Sequence, residues 1–190
     1  MRREYFKYLF LTGCLLLVTF PARAQEVVHA LCGTVHSIDS TKKLITVVTD
    51  SGISAQFKES TKPEVRLDFD KRIHANVIAA DAFTKNDARV IAYYYGSGAV
   101  QTAVAFQDLG AGPFEDSSGR VVKFDRHERV LTLKKTSGAE ESFRLDPKTV
   151  AETPYGAMEG LELDANDGDQ LQVTASSVNG SETALFIRTM

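Results

Sequence analysis

The sequence contains no tryptophan, only two cysteines and only three methionines among its 190 residues. Cys14 lies in an apolar stretch near the N-terminus, so Cys32 has no partner for an intramolecular disulfide in the rest of the chain. The fold must therefore be stabilised by packing rather than by disulfides. The scarcity of soft ligands also argues against a copper site built from methionine and tryptophan.

Motifs of common enzyme classes are also missing. There is no Gly-x-Ser-x-Gly turn and no His-Glu-x-x-His helix. A catalytic triad is a spatial arrangement, so a hydrolase that uses His74 or His127 with a serine and an aspartate stays open as a third hypothesis. We expect no cofactor, and the sequence singles out no catalytic residue.

The N-terminus has the pattern of a bacterial signal peptide. Three basic residues precede an uncharged apolar run from residue 8 to residue 20, and Pro-Ala-Arg-Ala at 21–24 supplies a cleavage site before Gln25. The run is shorter than the ~20 residues that span a bilayer. We expect cleavage after Ala24, a periplasmic or secreted chain, and no transmembrane anchor after cleavage. Acylation at Cys14 is a less favoured alternative, because the apolar run continues beyond this cysteine.

Removal of residues 1–24 would leave 166 residues with 18 basic and 24 acidic side chains, a net charge of −6. An acidic chain has little electrostatic attraction for nucleic acid. We therefore expect no nucleic-acid partner, and an envelope protein or a glycan is the expected partner class.

Two parts of the chain repeat one pattern at a constant offset of 86 residues. Each has a strand with an internal glycine, a polar turn, a strand with a central threonine, a Ser-Gly turn and a phenylalanine. The first copy runs from Gly33 to Phe57 and the second from Gly119 to Phe143. Self-similarity over this length predicts two modules of the same fold.

Each module is predicted to have five strands. In the first, a three-stranded meander ending at Phe57 precedes a hairpin of Ile73–Phe83 and Ala88–Tyr95. In the second, Gln170–Ser176 and Ala184–Arg188 are the last two strands, aligned with the first module at a new offset of 96. This alignment implies ten additional residues in the second module.

The additional residues are predicted within Asp146–Asp169, as a surface excursion where the modules would differ in function. Its acidic turn, Asp164–Asp169, has the wrong residue order for an EF-hand and is interpreted as an ordinary turn.

Five strands and a glycine in the first strand favour a Greek-key barrel of the oligonucleotide/oligosaccharide-binding (OB) type. The predicted class is all-β, with two tandem small five-stranded OB-like Greek-key barrels after an N-terminal signal peptide. The predicted boundaries are 1–24 for the signal peptide, 25–95 for module 1, 96–113 for a linker that could include a short strand, and 114–190 for module 2.

The chain resembles a bacterial secreted OB-like domain family of unknown function. The resemblance is carried by Gly-x-Val-x-x-Ile, a Thr-Ile/Leu-x-Val strand, Gly-Asp-x-Val-x-Val and a closing Ala-x-x-Ile. The second module matches with Gly168–Val173 and Ala184–Ile187, whereas the first departs at Arg72-Ile73-His74. The resemblance implies a barrel and an extracytoplasmic setting, and it implies no activity.

His29, Cys32 and His36 are the candidate metal ligands, since all three side chains can bind transition metals. On a regular strand Cys32 and His36 share a face and His29 lies on the other, and a bulge at Gly33 would alter which pair meets. The alternative is a buried thiol beside solvated histidines.

Tyr93 and Tyr95 lie on one face of a predicted strand and are candidate ligand-stacking residues, but core or cross-strand packing is the favoured interpretation. The favoured hypothesis is a non-enzymatic binding or adaptor protein in the envelope or outside the cell. An extracytoplasmic transition-metal-binding module is the second hypothesis.

Overall fold

The computed structural model of the protein describes residues 26–60, 62, 65–66, 69, 73, 76–178 and 180–190. The predicted signal peptide and the acylation site at Cys14 lie outside the described residues. Within them, no helix is long and apolar enough to cross a membrane. Strands dominate this part of the chain, and the predicted all-β class is confirmed.

The first barrel is formed by residues up to Asp108. Its strands are β1 (His29–Asp39), β2 (Leu44–Val48), β3 (Ser54–Glu59), β4 (Ile78–Ala79), β5 (Arg89–Tyr95) and β6 (Val100–Asp108). Around the barrel the order is β3, β2, β1, β5, β6, and parallel pairing of β3 with β6 closes it. The two-residue β4 pairs with β6.

The second barrel has the same plan. Its strands are β7 (Phe114–Asp125), β8 (Val130–Lys134), β9 (Glu140–Thr153), β10 (Gly156–Glu159), β11 (Gln170–Val178) and β12 (Ser181–Thr189). The order is β9, β12, β11, β7, β8, and β8 pairs with β9 to close the ring. The end of β9 continues into a hairpin with β10.

In both barrels the third and fifth barrel strands are parallel and all other pairs are antiparallel. This is the strand order of a five-stranded Greek-key barrel of the OB type. The prediction of two tandem five-stranded barrels is therefore confirmed.

Glycine allows the first strand of each barrel to approach the second closely. A Cβ atom added to Gly33 would lie 2.6 Å from the carbonyl oxygen of Val48, and one added to Gly119 would lie 2.6 Å from that of Lys134. Real side chains do not tolerate such contacts with backbone. The two positions are related by the 86-residue offset, so the repeat includes this close approach.

The irregular pairing of the first strand lies further along the strand than Gly33, where a bulge was considered. The register between β1 and β2 shifts between Val35 and Ser37, and that between β7 and β8 shifts between Val121 and Lys123. These positions also differ by 86 residues.

The predicted order of the last two strands of the first module is wrong. The predicted strand Ala88–Tyr95 is present as β5, but it is the fourth barrel strand. The fifth is β6, which lies in residues 96–113 that were interpreted as a linker with a possible short strand. Because β6 pairs with both β5 and β3, the barrel closes only with this segment. Gly96 and Gly98, which have positive φ, belong to the β5–β6 connection rather than to a domain boundary.

The offset of 96 residues is wrong for the same reason. Pairing with the first strand places Val90 opposite Gly33 and Leu171 opposite Gly119, so equivalent positions differ by 171 − 90 = 81 residues. Since 86 − 81 = 5, the first module has five more residues between its third and fourth strands. The predicted ten-residue excursion within Asp146–Asp169 does not exist; this stretch includes the end of β9 and all of β10.

The connection between the third and fourth strands of the first module, which is longer than that of the second, covers the outer face of β5. Val65, Phe69 and Ile73 are buried in one cluster with Tyr93, and the rings of Phe69 and Tyr93 lie 4.7 Å apart. β5 is thus buried on both faces, which accounts for its unbroken apolar run.

Replacement of Gly119 by alanine is expected to lower the free energy of unfolding by about 1–3 kcal/mol, because the added methyl group meets the backbone of Lys134. Urea unfolding measures this change, and Ser118→Ala on the exposed side of β7 is the matched control. A Gly119→Ala protein as stable as the control would contradict the close approach.

Candidate functional site

The two barrels pack against each other through an apolar cluster that is separate from the core of each barrel. Ala30, Cys32 and Tyr93 point out of the first barrel and are buried with Val150 and Phe186 of the second. This part of the first barrel surface is therefore an internal interface between modules and is not available to a ligand.

The main chain also joins the barrels. The amide of Ala157 on β10 donates a hydrogen bond to the carbonyl oxygen of Val28 over 2.7 Å. A Cβ at Gly156 would lie 2.7 Å from the same oxygen, so glycine is needed where the N-terminal segment crosses β10.

A polar cluster lies at one end of this interface. Arg89, at the start of β5, forms a bidentate pair with Asp50 of the β2–β3 turn. Its Nη2 also lies 3.8 Å from Oδ2 of Asp116 on β7. The hydroxyl of Thr174 donates to Oδ1 of Asp116 over 2.5 Å. Arg89 is only 10% exposed, so it connects two carboxylates from different barrels in a largely buried setting.

The two carboxyl groups are shifted in opposite directions. The hydrogen bond from Arg89 lowers the pKa of Asp50. Burial, followed by a hydrogen bond with Asp50, raises the pKa of Asp116. Such a pair could in principle act as acid and base, but a substrate would need space beside it.

A cavity of ≈ 30 Å³ adjoins this cluster and is lined in part by Cys32, Asp50, Thr174 and Arg188. This volume holds one or two water molecules and is far below the several hundred Å³ of a typical small-molecule site. We therefore interpret this cluster as a clamp, meaning a set of ion pairs that holds the two barrels together.

A second polar contact lies at the start of β1. Nδ1 of His29 is 2.7 Å from Oε1 of Glu152, and the amide of Ala30 donates to Oε2 of Glu152 over 2.7 Å. Burial raises the pKa of Glu152, although the contacts with His29 and Ala30 act in the opposite direction. This pair also connects the barrels.

The structure does not support a metal site at His29, Cys32 and His36. His29 contacts Glu152, Cys32 faces the apolar interface, and His36 is exposed at the β1 bulge. Burial raises the pKa of the Cys32 thiol to about 11, so it stays protonated at neutral pH. In the part of the chain that the structure describes, no three His, Cys, Asp or Glu side chains are placed to hold a metal ion.

The stacking hypothesis for the tyrosines is wrong. Tyr93 is 0% exposed and Tyr95 is 6% exposed. The hydroxyl of Tyr93 donates to Oε1 of Gln107 over 2.7 Å, and that of Tyr95 lies 3.3 Å from Oγ of Ser60. Both rings are core residues because the longer connection and the second barrel cover them.

Of the two histidines in the hydrolase hypothesis, the described residues include one. His127 is exposed and lies 3.8 Å from Glu128, whereas His74 lies outside the described residues. The acidic turn of the second barrel is closed by its own hydrogen bonds, with the amide of Asn166 donating to Asp169, and Asp164 binds Arg126.

Sequence reasoning missed an exposed set of basic side chains on the second barrel. Arg120 on β7, Lys134 on β8 and Arg144 on β9 are exposed on the outer face of the second barrel. Their neighbours Val121 and Leu133 are buried in the barrel, as expected from alternation along a strand. We call the surface of Arg120, Lys134 and Arg144 the cationic face.

The strand register gives the geometry of the cationic face. Arg120 is directly opposite Lys134, so their Cβ atoms are about 5 Å apart. Lys134 is opposite Glu140, and Arg144 lies four residues further along β9, a step of about 13 Å. Between these positions the hydroxyl oxygens of Thr132 and Ser142 lie 2.9 Å apart.

Like charges directly opposite each other destabilise a sheet. Among the described residues, Lys123, Arg126 and Lys135 are the lysines and arginines of the second barrel that form ion pairs with carboxylates. Neither Arg120 nor Lys134 is part of these ion pairs, although Glu140 lies opposite Lys134 and offsets part of the repulsion.

The internal repeat offers a comparison. The 86-residue offset relates Arg120 to Thr34, Lys134 to Val48 and Arg144 to Lys58. The first barrel thus has one cation where the second has three. A comparison of the charges at equivalent positions of the two copies predicts this difference from the sequence alone.

Comparison with models of known protein families and with curated proteins finds no match for the chain. The predicted resemblance to a secreted domain family stays a prediction.

Replacement of Arg89 by glutamine is expected to destabilise the protein by about 2 kcal/mol at pH 7, because two adjacent carboxylates lose their cation. With its lowered pKa, Asp50 contributes stability above about pH 4, and this contribution is lost as the pH falls through its folded pKa. Asp116, with its raised pKa, favours the folded state when it is protonated. The difference in the free energy of unfolding between wild type and Arg89→Gln should therefore decrease as the pH falls.

Urea unfolding at a series of pH values from 7 to 3 measures this difference. Lys85→Gln is the control, since it removes an ion pair with Asp108 from an exposed site and should cost less. A difference for Arg89→Gln that stays constant with pH would argue against the clamp.

Proposed function

We propose that the protein is an extracytoplasmic, non-enzymatic binding or adaptor protein whose ligand contacts the cationic face. The single observation that carries this proposal is the set of exposed basic side chains that form no ion pair with a carboxylate in the described structure, at positions where the first barrel has a single cation.

The place of these residues in the barrel supports the proposal. OB barrels bind their ligands on the outer face of the second and third strands, which are β8 and β9 in the second barrel. Lys134 and Arg144 lie on these two strands, and Arg120 lies beside them on β7. The place of ligands on other OB barrels is an analogy of fold, whereas the three cations are specific to this chain.

The apolar cluster between the barrels supports the adaptor part of the proposal. Because the two barrels are packed together, the cationic face and the equivalent face of the first barrel, which has a single cation, belong to one body. Two faces of different charge could contact two different partners.

Export supplies the first test. The signal-peptide pattern predicts that the protein recovered from the cell envelope or the medium begins at Gln25. Mass spectrometry of the intact protein measures its N-terminus. A chain that keeps residues 1–24 and stays in the cytoplasm would contradict the extracytoplasmic setting, and a lipid on Cys14 would favour the lipoprotein alternative.

Binding supplies the second test. The protein is expected to co-sediment with isolated envelope material, and the double variant Arg120→Thr with Lys134→Val, which carries the first-barrel residues, should lose at least half of this retention. Lys58→Gln, the charge-removing variant at the position equivalent to Arg144, should be retained like wild type. Equal retention of the double variant would place the contact elsewhere, and no retention of any variant would contradict a binding function in the envelope.

A further inference from the structure

We propose that the ligand of the cationic face is an anionic polysaccharide of the polyuronate class, a sugar chain that carries repeated carboxylates. This inference rests on the proposed function and names its ligand class.

The spacing of the charges favours a polymer over a small anion. Arg120 and Lys134 form one positive centre, and Arg144 forms another about 13 Å away along β9. A free phosphate or acetate could contact only one of these centres. A chain with repeated carboxylates can contact both, and arginine suits carboxylates because its planar fork can donate two parallel hydrogen bonds.

The surface between the two centres suits a sugar. The hydroxyls of Thr132 and Ser142 lie there, and hydroxyl groups can donate to and accept from the hydroxyls of a glycan. Glu140, opposite Lys134, adds a hydrogen-bond acceptor, and the cationic face together with Glu140 has a net charge of +2.

The same surface suits nucleic acid less well. Binding of single strands depends on aromatic side chains that stack on the bases. The outward positions that we assign on β7, β8 and β9 beside the cationic face are aliphatic, hydroxyl or charged, namely Val122, Lys123, Val130, Thr132, Glu140 and Ser142. A stacking platform is therefore missing among these positions.

The acidic character of the whole chain does not prevent binding of a polyanion. At physiological ionic strength charges are screened over about 8 Å. The nearby Arg120, Lys134 and Arg144 therefore dominate over distant carboxylates. Screening also predicts that the affinity falls as salt is raised.

The test uses the exported protein and polygalacturonate as the probe, with dextran as the neutral polysaccharide. Isothermal titration calorimetry at 50 mM salt should detect binding of polygalacturonate and no binding of dextran. The affinity of Arg120→Thr with Lys134→Val is expected to be about tenfold lower, and that of Lys58→Gln unchanged. Raising the salt to 200 mM should weaken wild type more than the double variant, because the variant has fewer cations.

Arg144→Gln provides a second variant in case the double variant does not fold, which circular dichroism and urea unfolding would reveal. It removes the other positive centre and should also weaken binding of polygalacturonate. Equal affinity of both folded variants and wild type would overturn the placement on the cationic face.

Other probes separate the remaining outcomes. Tighter binding of a single-stranded oligonucleotide, or of vesicles that contain anionic lipid, would overturn the polysaccharide assignment. Retention on envelope material without affinity for polygalacturonate would overturn this inference and leave the proposed function in place. Absence of both would overturn the two together.

Discussion

The contact between the barrels is the constraint on which the rest of the structure depends. A small barrel buries the inner face of each strand, while its outer faces normally meet water. In the first barrel Ile91 and Tyr93 are large, apolar and directed outwards. Exposing them would cost about 25 cal/mol for each Å² of apolar surface. Val65 and Phe69 of the longer connection and the side of the second barrel around Phe186 provide the cover.

Apolar burial alone does not define how two rounded surfaces are oriented, because it has no direction. The ion pairs at the two ends of the β1–β5 pairing supply direction. His29 contacts Glu152 at the start of this strand, and Arg89, opposite Thr34, connects Asp50 with the second barrel. A partly buried ion pair adds little net stability, but a rotated arrangement would leave its charges unpaired. The pairs therefore select one orientation of the barrels.

Duplication of one scaffold has produced two different outer surfaces. The first barrel uses the outer face of β1 and β5 for the internal interface, so its tyrosines and its cysteine are core residues. The second barrel leaves the outer face of β7, β8 and β9 open and places cations there. Thr34 and Arg120 show the divergence, since they occupy equivalent places on strands with the same glycine and the same bulge.

Local sequence patterns are sufficient to predict the features that depend on neighbouring residues: the two modules, the meander from Gly33 to Phe57 and its copy, and the alternation that fills each barrel. Features that depend on pairing between distant segments are visible only in the folded chain. Gly96 to Gly98 suit a linker and a hairpin equally, and only pairing of β3 with β6 identifies the fifth strand. Likewise, an outward Tyr93 could stack on a ligand or enter a core. Its role depends on what packs over it, and that surface is made by residues far away in the chain.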